Sequence, residues 1–209
     1  YITVFDVSDV ILSSDRIVLR CEGLDTIADV ILNGTKIGYV NNMHRIWEFD
    51  VTSLIKKAEN HLTIIFYSPT RYIKEEQAKC EAGGSSDAMV GFPHIRKAHC
   101  MFGWDWGIRL PDAGIWREIM LCGLSAARID SVYLTQHHSE NAVRLELDVD
   151  VDAVTSCDLD YRVAITDPDG KKTVYEKSPQ NIVLQNPQLW WPNGYGGQPL
   201  YTVCVELMN

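Results

Sequence analysis

The sequence predicts an all-β protein built of β-sandwiches, and three observations carry that expectation. Apolar and polar residues alternate with a period of two, the alternating runs are short and numerous, and turn-forming residues separate them. The clearest run is 142–152, where Val143, Leu145, Leu147, Val149 and Val151 share one face and Glu146, Asp148, Asp150 and Asp152 share the other. That is the pattern of a half-buried strand in an antiparallel sheet.

Similar runs occupy 17–21, 28–32, 62–67, 115–122, 131–135, 161–166 and 201–207. Between two of them, Asn33-Gly34 predicts a hairpin, because both central positions of a type I′ turn require positive φ. Asp167-Pro168-Asp169-Gly170 predicts a second tight turn. Only 70–82 breaks the period-two rule. There Glu75 and Lys79 stand four apart and Ile73, Gln77 and Cys80 share a narrow face, which predicts a short surface helix ended by Gly83-Gly84. From Gly83 to Arg109 the chain is irregular and rich in Gly, Pro, His and aromatic residues, the kind of insert on a β scaffold that carries binding residues. A composition shift at 123–127 predicts a linker between a larger first domain, 1–124, and a second of immunoglobulin size, 125–209.

With 46 % hydrophobic and 22 % charged residues, the 209-residue chain can bury one large or two modest cores. Nineteen Lys and Arg against 28 Asp and Glu give a net charge of −9, which repels phosphate backbones and anionic lipid and argues against nucleic-acid or membrane partners. No apolar run approaches the roughly 20 residues of a membrane span. Cys21, Cys80, Cys100, Cys122, Cys157 and Cys204 include no C-x-x-C pair, and the expectation is reduced, buried thiols in a reducing, cytoplasmic compartment. The six histidines show no ligand spacing, and His137-His138 reads as an exposed loop. The carboxylates at 146–152 project in a row from one strand and read as a solvated face, not a calcium cage. No metal and no cofactor are expected, and no nucleophile elbow or phosphate-cradling glycine loop is present.

The informative stretch is 96–109. Trp104 and Trp106 flank Asp105, with Arg96 and Lys97 upstream and Arg109 downstream. An indole packs on the apolar face of a pyranose, and a carboxylate accepts from neighbouring hydroxyls, so these residue types suit carbohydrate. The competing reading makes both tryptophans core residues and pairs Asp105 with Arg96 or Arg109.

Gly103-Trp104-Asp105-Trp106-Gly107, then Arg109 and Gly114-Ile115-Trp116-Arg117, resembles the signature of β-mannosidases of glycoside hydrolase family 2. Supporting matches run in the family's order: 21–26 leading to Asn33-Gly34, then 49–52, 95–98 and 189–196, with Gln198 and Leu200-Tyr201. Ile108 departs from the proline usual there. The resemblance implies a jelly-roll sugar-binding domain, similar to galactose-binding domains, followed by an immunoglobulin-like sandwich. It also implies a retaining (β/α)₈ barrel whose acid/base is the Glu of an Asn-Glu pair. No Asn-Glu dipeptide occurs in this chain, so no catalytic residue is assigned. By the same resemblance Asp105 and Trp106, with Trp104 and Arg96 in support, contact the terminal sugar of a β-mannoside or manno-oligosaccharide, while Trp116, Trp190 and Trp191 are structural. Alternatives are a family member acting on another glycoside, such as an exo-β-glucosaminidase or endo-β-mannosidase, a free-standing carbohydrate-binding module, and a purely structural pair of sandwiches.

Overall fold

The computed structural model describes residues 1–155 and 159–208. It separates into two compact units, Tyr1–Ser125 and the residues from Ala126 onward.

In the first unit, β1 (Ile2–Phe5) and α1 (Asp9–Leu12) precede β2 (Arg16–Cys21), β3 (Leu24–Asp25), β4 (Ile27–Leu32), β5 (Thr35–Asn41), β6 (Trp47–Asp50) and β7 (Asn60–Phe66). Helix α2 (Pro69–Lys79), two short 3₁₀ turns (Phe92–His94 and His99–Phe102), β8 (Gly114–Ile115) and β9 (Ile119–Leu124) complete it. One antiparallel sheet has the order β1-β7-β4-β5, a second β6-β2-β9, and β3 pairs with β8. Alternate side chains of both larger sheets, among them Ile17, Leu19, Val30, Leu32, Leu62 and Ile64, meet in one buried core.

Asn33 and Gly34 adopt φ of 50° and 81° between paired Leu32 and Thr35, the predicted hairpin. Asn33 also ties the turn to the sheet, since its Nδ2 donates to Leu54 O at 2.8 Å and to Asn60 Oδ1 at 3.0 Å. Fully buried Asn60 donates in turn to Lys56 O at 2.7 Å. Its polar atoms thus keep their bonds in the core.

The predicted strand at 115–122 is two elements. The Trp116 N–H donates to Gly23 O at 3.1 Å, one step beyond the Leu24–Ile115 pair, and the register then shifts by one residue before Ile119 meets Cys21, so β8 pairs with β3 while β9 pairs with β2. The helix spans Pro69–Lys79, not 70–82; Ser68 caps it by accepting from Arg71 N, and Pro69 occupies the first turn, where its missing N–H costs nothing. Ile73 is its buried anchor, whereas Cys80 is exposed in extended backbone, and Lys79 pairs with Glu76 at 2.7 Å, not with Glu75.

The second unit runs β10 (Ala127–His138), β11 (Ala142–Ala153), β12 (Asp160–Thr166), β13 (Lys172–Tyr175), β14 (Asn181–Gln185) and β15 (Thr202–Met208). Its sheets have the orders β10-β11-β14 and β13-β12-β15, packed through Val143, Leu145, Leu147, Val163, Ile165 and Ile182. The alternation of 142–152 places its apolar side inward and its carboxylates outward, as predicted. A bulge between Ile129 and Ser131 drops Asp130 from the β10–β11 ladder. Asp167 organises the predicted tight turn: its Oδ1 accepts from Asp169 N at 3.0 Å and Lys171 N at 2.8 Å. His137 and His138 end β10 instead of lying in a loop, and His137 Nε2 meets Glu146 Oε2 at 2.7 Å.

Two expectations are corrected. Among the described cysteines only Cys21 is buried; Cys80, Cys100 and Cys204 are exposed, because they fall on outward-facing or irregular positions, and Cys157 lies outside the described residues. Trp190 and Trp191 are half-exposed, not core. They border a groove of about 590 Å³ at one end of the second sandwich, together with Leu134, Val143 and Val203.

Burial pushes the Cys21 thiol up to about 12, so the reactive thiolate is scarce near neutral pH. Native alkylation at pH 8, read by peptide mass spectrometry, is expected to modify Cys80, Cys100 and Cys204 at least tenfold faster than Cys21.

Candidate carbohydrate contact site

The excursion between α2 and β8 is held on the first sandwich by a small core of its own. Ile27 at the start of β4, Ile73 of α2, and Ile95 and Phe102 of the excursion are buried together, with Tyr72, Met89 and Phe92 packed around them. Phe102 is fully buried, its carbonyl accepts from Met89 N at 3.0 Å, and Phe92 lies edge-on to His99 with centroids 4.9 Å apart.

Immediately after this anchor the chain turns outward. Gly103 has φ of 94°, and a Cβ there would stand 2.3 Å from Arg109 Cγ, so only glycine fits. Trp104 and Gly107 then face each other as an isolated antiparallel bridge. Trp104 N donates to Gly107 O at 3.4 Å, and Gly107 N donates to Trp104 O at 3.2 Å. Asp105 and Trp106 form the two-residue tip. Leu110 N donates back to Met101 O at 3.0 Å, which closes the outer loop.

At that tip Trp106 is 82 % exposed and Trp104 43 %, their rings 5.5 Å apart and inclined at 55°. Asp105 is exposed, and among the described residues it makes no ion pair with Arg96 or Arg109. Arg109 instead crosses Gly103 and donates from Nη2 to Asp87 O at 3.0 Å. The core-aromatic reading of Trp104 and Trp106 therefore fails, and Asp105 is left with its carboxylate free to accept. Ile108, in place of the proline implied by the resemblance, is exposed as well.

Arg96 sits elsewhere on the same excursion. Its backbone bridges Asn42, and its exposed side chain borders a groove of about 760 Å³ beside His44 and His99. A separate apolar hollow of about 350 Å³ opens between the sheets at Tyr1, Leu19 and Ile119. Trp104, Asp105 and Trp106 line neither, so the tip projects as a rim without walls. Trp116, expected in the core, is half-exposed: its indole covers Gly23, and the Arg117 guanidinium stacks on it at 4.2 Å.

Reasoning from sequence missed the groups beneath the excursion. Lys97 is fully buried and pairs with Asp25 and Asp112, a connection between residues as much as 72 apart that no local pattern signals.

A family model described as glycosyl hydrolase 2 galactose-binding domain-like matches residues 1–117, and one described as glycosyl hydrolases family 2 matches 127–209. A β-mannosidase B of Aspergillus oryzae is 33 % identical over 224 residues, covering 99 % of this chain and 26 % of its own length. The β-mannosidase of Capra hircus is 29 % identical over 235 residues, with the same two shares. The crystal structure of a β-D-mannosidase from Dictyoglomus thermophilum superimposes with a TM-score of 0.85 at 30 % identity, covering all of this chain and 27 % of that one. The chain thus spans about a quarter of the length of the curated relatives it matches.

Deep anchor and exposed tip should separate on mutation. Phe102→Ala is expected to cost about 3–5 kcal/mol of unfolding free energy. Trp106→Ala should stay within about 0.5 kcal/mol. Urea titration of both variants checks the contrast.

Proposed function

The chain belongs to glycosyl hydrolase family 2, and on that premise we propose that it is a non-catalytic region of a β-mannosidase that lends the 104–107 turn to the subsite for a terminal β-mannosyl residue. The observation that carries the proposal is an unpaired carboxylate flanked by two exposed indoles on a turn anchored from below. Similarity to β-mannosidases along 99 % of the chain supports the choice of sugar.

In this reading Asp105 accepts hydrogen bonds from vicinal hydroxyls of the mannosyl ring, and Trp106 stacks or walls the apolar face. Arg96, which borders a different groove, takes no direct part in this contact. Bond cleavage with retention belongs to two carboxyl groups about 5–5.5 Å apart on a (β/α)₈ barrel contributed by further chain. The quarter-length match to the relatives supports such a division of labour. The rim would then be one wall of a pocket whose other walls come from the barrel.

Two outcomes test this. In the complete enzyme Asp105→Ala should lower kcat/KM on a β-mannoside roughly ten- to a hundredfold, since a hydrogen bond to a charged group contributes about 1.5–3 kcal/mol. Unchanged kinetics would remove Asp105 from the subsite. For the 209-residue chain alone, isothermal titration with mannobiose should register no binding up to millimolar sugar, because one wall supplies too few contacts to offset the cost of association. Micromolar affinity would favour a free-standing carbohydrate-binding module instead.

A further inference from the structure

Within the excursion between α2 and β8, the stretch 98–111 that carries Trp104, Asp105 and Trp106 is bounded by Lys97 and by Asp112, two residues before β8. The Lys97 side chain is 0 % exposed. Its ammonium donates to Asp25 Oδ2 in β3 and to Asp112 Oδ1 at 3.3 Å. The remaining carboxylate oxygen of Asp25 accepts from the Thr26 hydroxyl, and Asp25 is itself in register with Gly114 across the β3–β8 pair. Both bounds of the 98–111 stretch and a framework strand therefore converge on one nitrogen. The neighbouring backbone is tied as well: Met43 N donates to Arg96 O at 3.0 Å, and Ala98 N to Met43 Sδ at 3.0 Å.

We propose that Lys97 is a positioning residue that closes the base of the 98–111 stretch of the excursion and so sets where Asp105 and Trp106 stand. Its importance for sugar binding rests on the reading of that turn given above; the clamp itself does not. Phe102 fixes the middle of that stretch but neither of its ends. Methionine would fill much the same space as the lysine stem, and burying an ammonium is costly unless it is paired, so stability alone gives little reason for a charge here. What a cation adds over an apolar side chain is direction: it draws carboxylates from two separate segments to one point.

The test is hydrogen exchange by mass spectrometry on the 209-residue chain, comparing wild type with Lys97→Met/Asp25→Leu, in which no orphan charge stays buried. The amides of Trp104, Gly107 and Leu110, which donate within the excursion, should exchange at least tenfold faster, while those of Val30 and Ile64 in the sheet keep their rates. Asp112→Asn, at a side chain 77 % exposed where folding is not at stake, should accelerate Leu110 at least threefold. Unchanged exchange in the excursion in both variants overturns the proposal. So does uniform acceleration through the first unit, or failure of the double variant to fold, since either makes the pair a general support of the core. No sugar enters this measurement, so a negative result leaves the role of Asp105 standing, and inactivity of Asp105→Ala says nothing against the clamp.

Discussion

Between Gly83 and Asp112 the backbone has no ladder longer than an isolated bridge, so its order depends on side chains. The small core of Ile27, Ile73, Ile95 and Phe102 meets that need. Burying these four withdraws enough apolar surface to contribute roughly 1.5–3 kcal/mol each, against a backbone entropy cost of about 1–2 kcal/mol for every residue that is fixed. The balance favours order close to the anchors and weakens with distance from them. That explains why the turn at 104–107 begins two residues after Phe102 and why Gly103 must bend between them: the chain leaves its last fully buried side chain and at once presents its tip.

Electrostatics follows the same division. A net charge of −9 is spread over outward faces, where Glu146 is met by Arg144 and His137, and Asp152 by Arg128. These exposed and half-exposed pairs contribute little stability in water. The Lys97–Asp25 pair is different in kind, because neither partner has solvent to fall back on. The one carboxylate at the tip has no protein cation facing it among the described residues, which leaves its lone pairs for hydroxyl donors.

Much of this was legible in the residue order. Strict alternation at 142–152 reports a sheet face directly, and Asn33-Gly34 specifies a turn because few other pairs tolerate two positive φ values. Where the reading failed, the deciding interaction was distant. Nothing local in 115–122 signals that the Trp116 N–H is claimed by Gly23, or that the segment changes partner strand there. Cys204 stands between Val203 and Val205 yet is exposed, since hydrophobic company in sequence does not decide which side of a strand a residue takes, and Cys80 and Cys100 fall outside the strands altogether. Trp190 and Trp191, structural by the resemblance, are half-exposed and border a groove. At the site, residue types identified the turn at 104–107, whereas the ion pair beneath it joins segments that only folding brings together.

Among the described residues β10 is an edge strand of the second unit, paired with β11 on one side. Such a margin would ordinarily template the addition of another chain. The bulge at Ile129–Ser131 interrupts its rhythm, and Arg128 and Asp130, joined at 3.4 Å, set charge on the interruption. A copy approaching edge to edge could align with Ser131–His138 but not with the strand's whole length, so the bulge shortens the margin open to such pairing.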